Sequence, residues 1–457
     1  MCMNQNLFYE NLAASARQAY QGIHTLAKDV VTETDTWKSG INDNVMVFGP
    51  SGAGKTRHYV KPNLVNAHES LIISDTKGSL YGELGGLLQS KGYEVRCIDF
   101  TDLRGECGYN PLDYIRYEPE KNAYNEQDIQ SLAHSLIADT SLKEPYWDNA
   151  ARQYMSVVIG FVMEALPKEQ HNLAYVMKVF QLLGTKTLDQ LMMNLAFTKP
   201  ESTVFDRYRS MRSMAAADKM DASIRGIVST NLETLTTADA LALYENPTRI
   251  DFRELGQRKI ALFMTISDTD RSMDKLADAF VTQALQHLCR SADKDYPEHR
   301  LPVPVRFYLD DFATNLRIPK FDNIVSVIRS REIYVSVILQ SITQLDALYG
   351  VHAARTILNN FDQLIYLGGQ DLDTARLISE KTNVPLHRIL SMPLDQVWVL
   401  IRGKAPICTQ KADAVDDALL DMPIAPEQPY MDFDCSGDGD CSTCTGPCDE
   451  ASARLVF

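Results

Sequence analysis

Short apolar runs, separated by helix-length segments, recur in the first and last thirds of the chain. They occur at Asn44–Phe48, Leu71–Ser74, Glu94–Phe100, Lys259–Ile266, Val305–Leu309, Tyr334–Leu339, Gln363–Leu367 and Gln396–Ile401. Continuous apolar runs of this length, bounded by turn residues, predict buried parallel strands that are connected by helices. The two stretches therefore predict an α/β domain with one parallel-rich central sheet.

The residues between these stretches follow a helical period instead. Apolar side chains recur three and four positions apart within 129–137 and 155–163, and no convincing strand occurs between about 110 and 244. We predict an all-α domain at 110–244, inserted between two sequence halves of the α/β domain, 36–109 and 245–424. Residues 1–35 are predicted as a helical lead-in, because Leu12, Ala16, Ala19, Ile23 and Ala27 have roughly helical spacing. Residues 425–457 are predicted as a tail.

A glycine-rich loop follows the first predicted strand. It reads Gly49, Pro50, Ser51, Gly52, Ala53, Gly54, Lys55, Thr56 and matches the pattern G-x-x-x-x-G-K-[ST] in the strand–loop context that the motif requires. Glycines let successive N–H groups point at phosphate oxygens, and the following helix adds the positive end of its dipole. Lys55 is predicted to reach the β- and γ-phosphates, and the Thr56 hydroxyl to ligate Mg²⁺. The chain is therefore predicted to be a P-loop NTPase that binds ATP and Mg²⁺.

Two acidic residues end the strand within VRFYLDDF. Asp310 is predicted to hold Mg²⁺, and Asp311 to polarise the attacking water. A strand-capping acidic pair is the structural alternative. Gln340 ends the next strand, where a polar side chain faces the ligand crevice of a parallel sheet and could sense the γ-phosphate. A plain polar strand end explains Gln340 equally well.

The charge balance bears on the partner. The net charge is −15, whereas a stand-alone duplex-binding protein is normally basic. A ring-shaped motor can still confine its basic residues to a channel. The most basic stretch contains Arg207, Arg209, Arg212, Lys219 and Arg225, which could meet DNA phosphates or form a solvated helix face. Arg329 or Arg331 could serve as an arginine finger toward a neighbouring subunit, or be ordinary paired surface arginines.

Four cysteines cluster in the tail at Cys435, Cys441, Cys444 and Cys448, among seven acidic residues and the single basic Arg454. Four thiolates this close could hold Zn²⁺ or an iron–sulfur cluster, although only the Cys441/Cys444 pair has ordinary zinc spacing. A disordered acidic tail with free thiols is the alternative. The longest apolar run, Tyr154–Met163, is too short to cross a bilayer, so we expect a cytoplasmic chain.

Several blocks in fixed order resemble the type IV secretion coupling proteins, the TraG/TraD-like ATPases of conjugation, and most of all those of Gram-positive conjugative elements. The blocks are GPSGAGKTRHYVKPNL, SDTKGSLYGELG, YNPLDYI, YWDNAARQ, LDDFATNLRIPKFDNIVSVIRSREIYVSVILQSITQLDALYG and LGGQDLDTARLIS, within about residues 28–412. The resemblance implies a RecA-like nucleotide-binding domain with an inserted all-α domain. It also implies a homo-hexameric ring, monomeric in solution before assembly, at the inner face of the cell membrane. The implied activity is ATP-driven transfer of single-stranded DNA, with its attached relaxase, into a type IV secretion channel.

The sequence departs from the family pattern in three places. The transmembrane helices usual at the start of these proteins are not seen, so either the chain is a truncated or soluble variant, or a partner supplies the membrane contact. The usual Asp-Glu pair is Asp310-Asp311, and the usual Lys-Gly-Glu is Lys77-Gly78-Ser79. Two other functions stay open: an ATP-binding docking receptor for relaxase with little hydrolysis, and an FtsK-like translocase of duplex DNA.

Overall fold

The computed structural model describes residues 20, 22–137, 146–214 and 218–425, apart from the side chains of residues 214, 218, 219, 314 and 315. Its strands are β1 (Ile23–Ala27), β2 (Val30–Glu33), β3 (Val45–Phe48), β4 (Ser70–Asp75), β5 (Glu94–Asp99), β6 (Tyr117–Glu118), β7 (Ala123–Tyr124), β8 (Ile260–Thr265), β9 (Val305–Leu309), β10 (Ile333–Leu339), β11 (Gln363–Tyr366), β12 (Gln396–Ile401) and β13 (Ile407–Gln410). All eight predicted strands are present within one or two residues of the expected bounds.

The helices of the first half are α1 (Thr36–Ser39), α2 (Lys61–Val65), α3 (Ser79–Ser90), α4 (Glu126–Leu136), α5 (Tyr146–Ala165), α6 (Leu173–Gln181), α7 (Lys186–Thr198), α8 (Val204–Met214), α9 (Asp218–Leu232) and α10 (Ala238–Glu245). Those of the second half are α11 (Phe252–Leu255), α12 (Asp274–Asp295), α13 (Phe312–Asn315), α14 (Phe321–Val327), α15 (Ile342–Tyr349), α16 (Val351–Asn359), α17 (Leu372–Thr382) and α18 (Leu386–Leu390).

One nine-stranded sheet organises the described chain, in the order β13-β12-β11-β3-β10-β9-β4-β8-β5. The seven strands from β11 to β5 are parallel, and β12 and β13 are antiparallel additions at one edge. Alternate residues of the central strands enter different cores: Met46 and Phe48 join one cluster, whereas Val45 and Val47 join the other. Because both faces are covered, these strands carry continuous apolar runs.

The helices α4 to α10 lie between β5 and β8, where the sequence predicted a helical segment. Their apolar faces belong to the same cluster as Met46 and Phe48, so they pack together with one face of the sheet. The described residues up to 424 form one compact unit. A small β6–β7 hairpin also lies in this segment, contrary to the expectation that it contains no strand.

The helix predicted over the last part of residues 1–35 is wrong. Ile23–Ala27 and Val30–Glu33 pair as an antiparallel hairpin, with Ile23 opposite Glu33. The burial of β2 alternates strictly, which is the period of a strand and not of a helix. The Asn63 side chain binds both the N–H and the C=O of Thr25, each at 2.8 Å, and so fixes β1 against α2.

Candidate functional site

The glycine-rich loop leaves the carboxyl end of β3 at the centre of the sheet. The N–H of Gly49 donates to the carbonyl of Leu339 at the end of β10 (3.1 Å). Gly52 and Gly54 have φ angles of +79° and +84°, a region that only glycine enters without strain. A Cβ at Gly54 would also collide with the ring of His58. Gly52 and Gly54 are therefore required by the path of the loop.

The helix after the loop opens with a π-helical turn, Thr56–Val60, which continues into α2. The N–H of Lys61 bonds to the carbonyl of Thr56, five residues back. Pro62 follows without an N–H and lies in the first turn of α2, which ends at Val65. π turns of this kind are frequent at functional sites.

The predicted metal ligands lie together. The Thr56 hydroxyl donates to Asp310 Oδ2 at 2.7 Å. Thr56 comes after β3 and Asp310 directly follows β9, and β10 lies between these two strands in the sheet. Ser74, at the end of β4, holds Asp310 from the other side: its hydroxyl accepts from the Asp310 N–H at 2.7 Å. Burial raises the pKa of Asp310, and the Thr56 hydrogen bond partly opposes that rise. The Asp310 carboxylate thus lies where it can serve a cation next to Thr56.

Lys55 and Asp311 face each other at the same site. The Lys55 ammonium lies 3.9 Å from Asp311 Oδ1 and 3.4 Å from the carbonyl of Pro50, and Lys55 is only 8% exposed. Asp311 has φ +45°, uncommon for a residue with a side chain, and among the described residues its buried Oδ1 has no hydrogen-bond partner. Strained backbone and unpaired polar atoms concentrate at functional sites.

These residues line a cleft of about 660 Å³. Its wall includes Ser51, Gly52, Gly54, Lys55, Thr56, Arg57, Lys61, Ser74, Asp75, Thr76, Lys77, Ser79, Leu80, Asp310, Asp311, Ala414, Val415, Asp417 and Leu420. The cations and loop amides suit a polyphosphate, and the Thr56 and Asp310 oxygens are the ligand type that Mg²⁺ prefers. The residues therefore fit a Mg²⁺–nucleotide. Sequence reasoning missed Ser74 and Asp75, although both end a strand beside β9, where polar residues face the crevice.

Gln340 lies beside this cleft and not in it. Its N–H donates to Gln344 Oε1 at 2.8 Å, and its exposed side chain lines a separate cleft of about 270 Å³ with Pro50 and Tyr366. A γ-phosphate contact by Gln340 stays a prediction.

Arg329 and Arg331 directly precede β10, so they lie at the amino ends of the parallel strands, whereas the loop lies at the carboxyl ends. Arg329 donates to the carbonyl of Thr36 at 2.7 Å, and Arg331 forms an ion pair with Asp293 at 2.8 Å. Neither arginine reaches its own chain's cleft, and a contact with a neighbouring subunit stays a prediction.

The arginines of the predicted DNA-contacting stretch have acidic neighbours. Arg207 pairs with Glu126, Arg209 with Asp206, Arg212 with Asp189 and Arg225 with Asp221. Arg209 is the most exposed of the four, at 70%, and its partner is 4.0 Å away. The side chain of Lys219 and the cysteines Cys435, Cys441, Cys444 and Cys448 lie outside what the structure describes.

A larger cleft, of about 960 Å³, lies between the helical segment and α12. Its charged lining is mixed: Arg116 and Arg290 both pair with Asp128, Arg249 with Asp113 and Arg253 with Asp251. Within the described residues no group of three or more histidine, cysteine or acidic side chains could hold a metal ion. None of the described helices is long and apolar enough to cross a membrane.

Comparison with known proteins agrees with this geometry. Residues 10–383 match the sequence model of the family described as type IV secretory system conjugative DNA transfer. Two conjugal transfer proteins TraG of Escherichia coli are 27% identical over 231 residues and 29% identical over 134 residues. The matches cover 46% and 28% of this chain but only 33% and 20% of those relatives.

Solved structures share the fold. The bacterial conjugative coupling protein TrwBdeltaN70, unbound, superposes with a TM-score of 0.60 at 18% identity, over 82% of this chain and 87% of that one. The plasmid coupling protein TrwB in complex with ADP and Mg²⁺ gives 0.58 at 18% identity, over 80% and 85%. VirB4 of Thermoanaerobacter pseudethanolicus gives 0.52 at 15% identity, over 87% and 98%. The predicted RecA-like P-loop fold is confirmed.

Proposed function

The chain belongs to the type IV secretory system conjugative DNA transfer family, and from this premise we propose that it is an ATP-hydrolysing coupling protein. It drives single-stranded DNA, with its attached relaxase, into a type IV secretion channel. The observation that carries the ATPase part is the 2.7 Å hydrogen bond between Thr56 and Asp310. It joins the end of the phosphate-binding loop to the acidic strand end, as a Mg²⁺–nucleotide site requires.

Each residue at the cleft has one role in this proposal. Lys55 neutralises charge on the β- and γ-phosphates, and the loop amides hold their oxygens. Thr56 and Asp310 hold Mg²⁺, which would neutralise the charge that develops on the phosphates. Asp311, whose Oδ1 has no hydrogen-bond partner among the described residues, accepts the proton of the attacking water. For this, Lys55 must turn from Asp311 toward the phosphates.

The assembly that we propose is a homo-hexamer, which forms from monomers at the inner face of the membrane. A partner in the secretion channel supplies the membrane contact. Arg329 and Arg331 lie at the amino ends of the strands, away from the cleft, so the nucleotide that one of them contacts in this proposal is that of a neighbouring subunit. The paired arginines around Arg209 offer little free positive charge, so DNA contact there requires exchange of ion pairs for phosphate contacts.

ATP hydrolysis by the purified chain tests the proposal. Turnover is measured alone, with single-stranded DNA and with duplex DNA, beside a Lys55→Ala variant and at concentrations that favour ring assembly. We expect weak basal turnover that single-stranded DNA stimulates and that Lys55→Ala reduces to background. Preferential stimulation by duplex DNA would favour a duplex translocase instead.

One observation favours a second candidate, a docking receptor that binds ATP and recruits relaxase. Asp311 is one methylene shorter than the glutamate usual at this position, and it lies 3.9 Å from the Lys55 ammonium. A carboxylate engaged by Lys55 is a poorer base for water. Tight ATP binding and tight relaxase binding, without Lys55-dependent turnover in any DNA condition, would establish the receptor and refute the motor.

A further inference from the structure

A segment distant in sequence forms one wall of the nucleotide cleft. After β13 the chain runs from Lys411 to Ile424, and we call these residues the strap. Ala414, Val415, Asp417 and Leu420 of the strap form part of the cleft wall, beside the phosphate-binding loop. The strap therefore borders the space that a bound nucleotide would occupy.

The strap begins on the phosphate-binding loop itself. The Lys411 ammonium donates to the carbonyl of Ala53 at 2.9 Å. Nδ1 of His58, on the π turn, lies 2.8 Å from the carbonyl of Ala412, which is 4% exposed. Any movement of the loop on nucleotide binding would therefore displace the first residues of the strap.

The other end of the strap rests on helix α3. The N–H of Asp421 donates to the carbonyl of Glu83 at 3.0 Å. Asp421 has φ +59°, so the chain turns through a left-handed residue at the point where it meets the helix. Contacts at both ends, with the cleft between them, make the strap a cover held at two points.

Two adjacent glycines in α3 allow this contact. A Cβ on Gly86 would collide with the carbonyl oxygen of Met422 and lie 2.8 Å from that of Pro423. A Cβ on Gly85 would lie 2.6 Å from Cδ1 of Ile424. Glycine in the middle of a helix is destabilising relative to alanine, so its presence here needs a reason. The close approach of the strap supplies that reason.

We propose that the strap is a gate on the nucleotide cleft, and that its seat on Gly85 and Gly86 sets how fast nucleotide enters and leaves. The proposal rests on nucleotide binding at the cleft. A cover that must open before product leaves can limit turnover. The direction follows from the geometry: a strap lifted from α3 withdraws Asp417 and Leu420 from the cleft wall and leaves Lys55, Thr56 and Asp310 in place.

Alanine at glycines of the same helix provides a matched series. Gly86→Ala meets main chain and must lift the strap. Gly82→Ala is the control, because among the described residues a Cβ at Gly82 would meet nothing within 4 Å, while the gain in helix propensity is the same. Gly85→Ala conflicts with the side chain of Ile424, whereas the new Cβ makes only an ordinary contact with Val95 at 3.6 Å, so the double variant Gly85→Ala with Ile424→Ala should restore the seat.

Two measurements read the series in the full chain. Hydrogen exchange of the amides of 411–424 reports whether the strap is seated, and stopped-flow release of a fluorescent ADP reports the gate. For Gly86→Ala we expect loss of protection in the strap and release faster by about tenfold, which corresponds to about 1.4 kcal/mol in the barrier. Gly82→Ala and the double variant should release ADP at the wild-type rate.

Each other result overturns part of the reasoning. If Gly86→Ala keeps the protection of the strap, the glycine seat is wrong. If the strap loses protection while ADP release is unchanged, the gate is wrong. If the wild-type chain does not bind ADP at all, the nucleotide-binding proposal fails and the gate fails with it, whereas binding with equal release rates throughout refutes the gate alone.

Discussion

Arg306 gives the strongest test of which interactions stabilise the sheet beneath the nucleotide cleft. Its side chain is 1% exposed within β9 and forms ion pairs with two buried carboxylates, Asp43 and Glu69. Nε donates to Glu69 Oε1 at 2.7 Å, and Nη1 to the carbonyl of Asp43 at 2.9 Å. Burial is the largest single influence and raises the pKa of both carboxyl groups, but the Arg306 charge and the hydrogen bonds that each group accepts together hold each pKa below its ordinary value.

The perturbation is Arg306→Met, which keeps the side-chain volume roughly and removes the charge. It leaves two buried carboxylates without their cation, and removal of one partner from a buried ion pair typically costs about 3–5 kcal/mol. Unfolding entropy is about 2.1 cal/mol/K per residue, so over about 400 residues this loss lowers the melting temperature by about 4–6 °C.

The control is an exposed pair in the same chain. Arg376 lies 3.2 Å from Asp373, with side chains 59% and 57% exposed. Arg376→Met should cost at most about 1 kcal/mol, because water screens such pairs. Thermal and urea unfolding of the two variants, side by side with wild type, make the comparison. If Arg306→Met is no less stable than Arg376→Met, the buried network does not hold the sheet as we argue.

Two further predictions concern the cleft and its foundation. Asp311→Glu restores the longer acid usual in the family. It should raise basal phosphate release about three- to tenfold at unchanged nucleotide affinity, because the longer side chain is a better-placed general base. Equal or slower turnover would contradict the role assigned to Asp311. Burial and Arg306 lower the pKa of His24, so the folded chain keeps it neutral while the unfolded chain protonates below about pH 6.5. The stability that depends on neutral His24 is therefore lost as the pH falls. The difference in free energy of unfolding between wild type and His24→Gln should narrow by up to about 1.4 kcal/mol from pH 7.5 to 5.5. A difference that does not change with pH would show that His24 titrates normally.

The buried network also supports the nucleotide loop. Tyr59 lies on the π turn that follows Thr56, and its hydroxyl contacts Ser336 at 2.7 Å and His24 Nε2 at 3.0 Å. Arg306 Nη1 approaches Ser336 at 3.5 Å. The turn that positions the loop is therefore fastened to the strands beneath it and to the β1–β2 hairpin.

The strands of the central sheet could be predicted from sequence because both of their faces are buried. Every residue of Ile260–Thr265 and of Ile333–Leu339 is buried, so local composition alone marks them. Ile407–Gln410 was missed because it is a half-exposed edge strand with a mixed sequence. The β1–β2 hairpin was not predicted because two of its apolar residues, Ile23 and Ala27, have a roughly helical spacing when they are taken together with Leu12, Ala16 and Ala19.

The site was predictable as far as its residues are neighbours in sequence or end a strand. The phosphate-binding loop and Asp310 met both conditions, and the structure brings them within hydrogen-bonding distance. The strap met neither. No local signal at Gly85-Gly86 indicates that Met422 will lie against it, because that contact exists only after the whole sheet has formed.

The order of the sheet has a consequence for how the chain is made. Strand β8 lies between β4 and β5, and β3 lies between β10 and β11, so early strands pair with strands that leave the ribosome much later. Until β9 and β10 emerge, the amino-terminal strands present unpaired apolar edges, which aggregate readily. Pairings this distant in sequence also close slowly. Nascent or shortened chains that stop before β11 should therefore depend on chaperones, and recombinant production should improve when translation is slowed by cold.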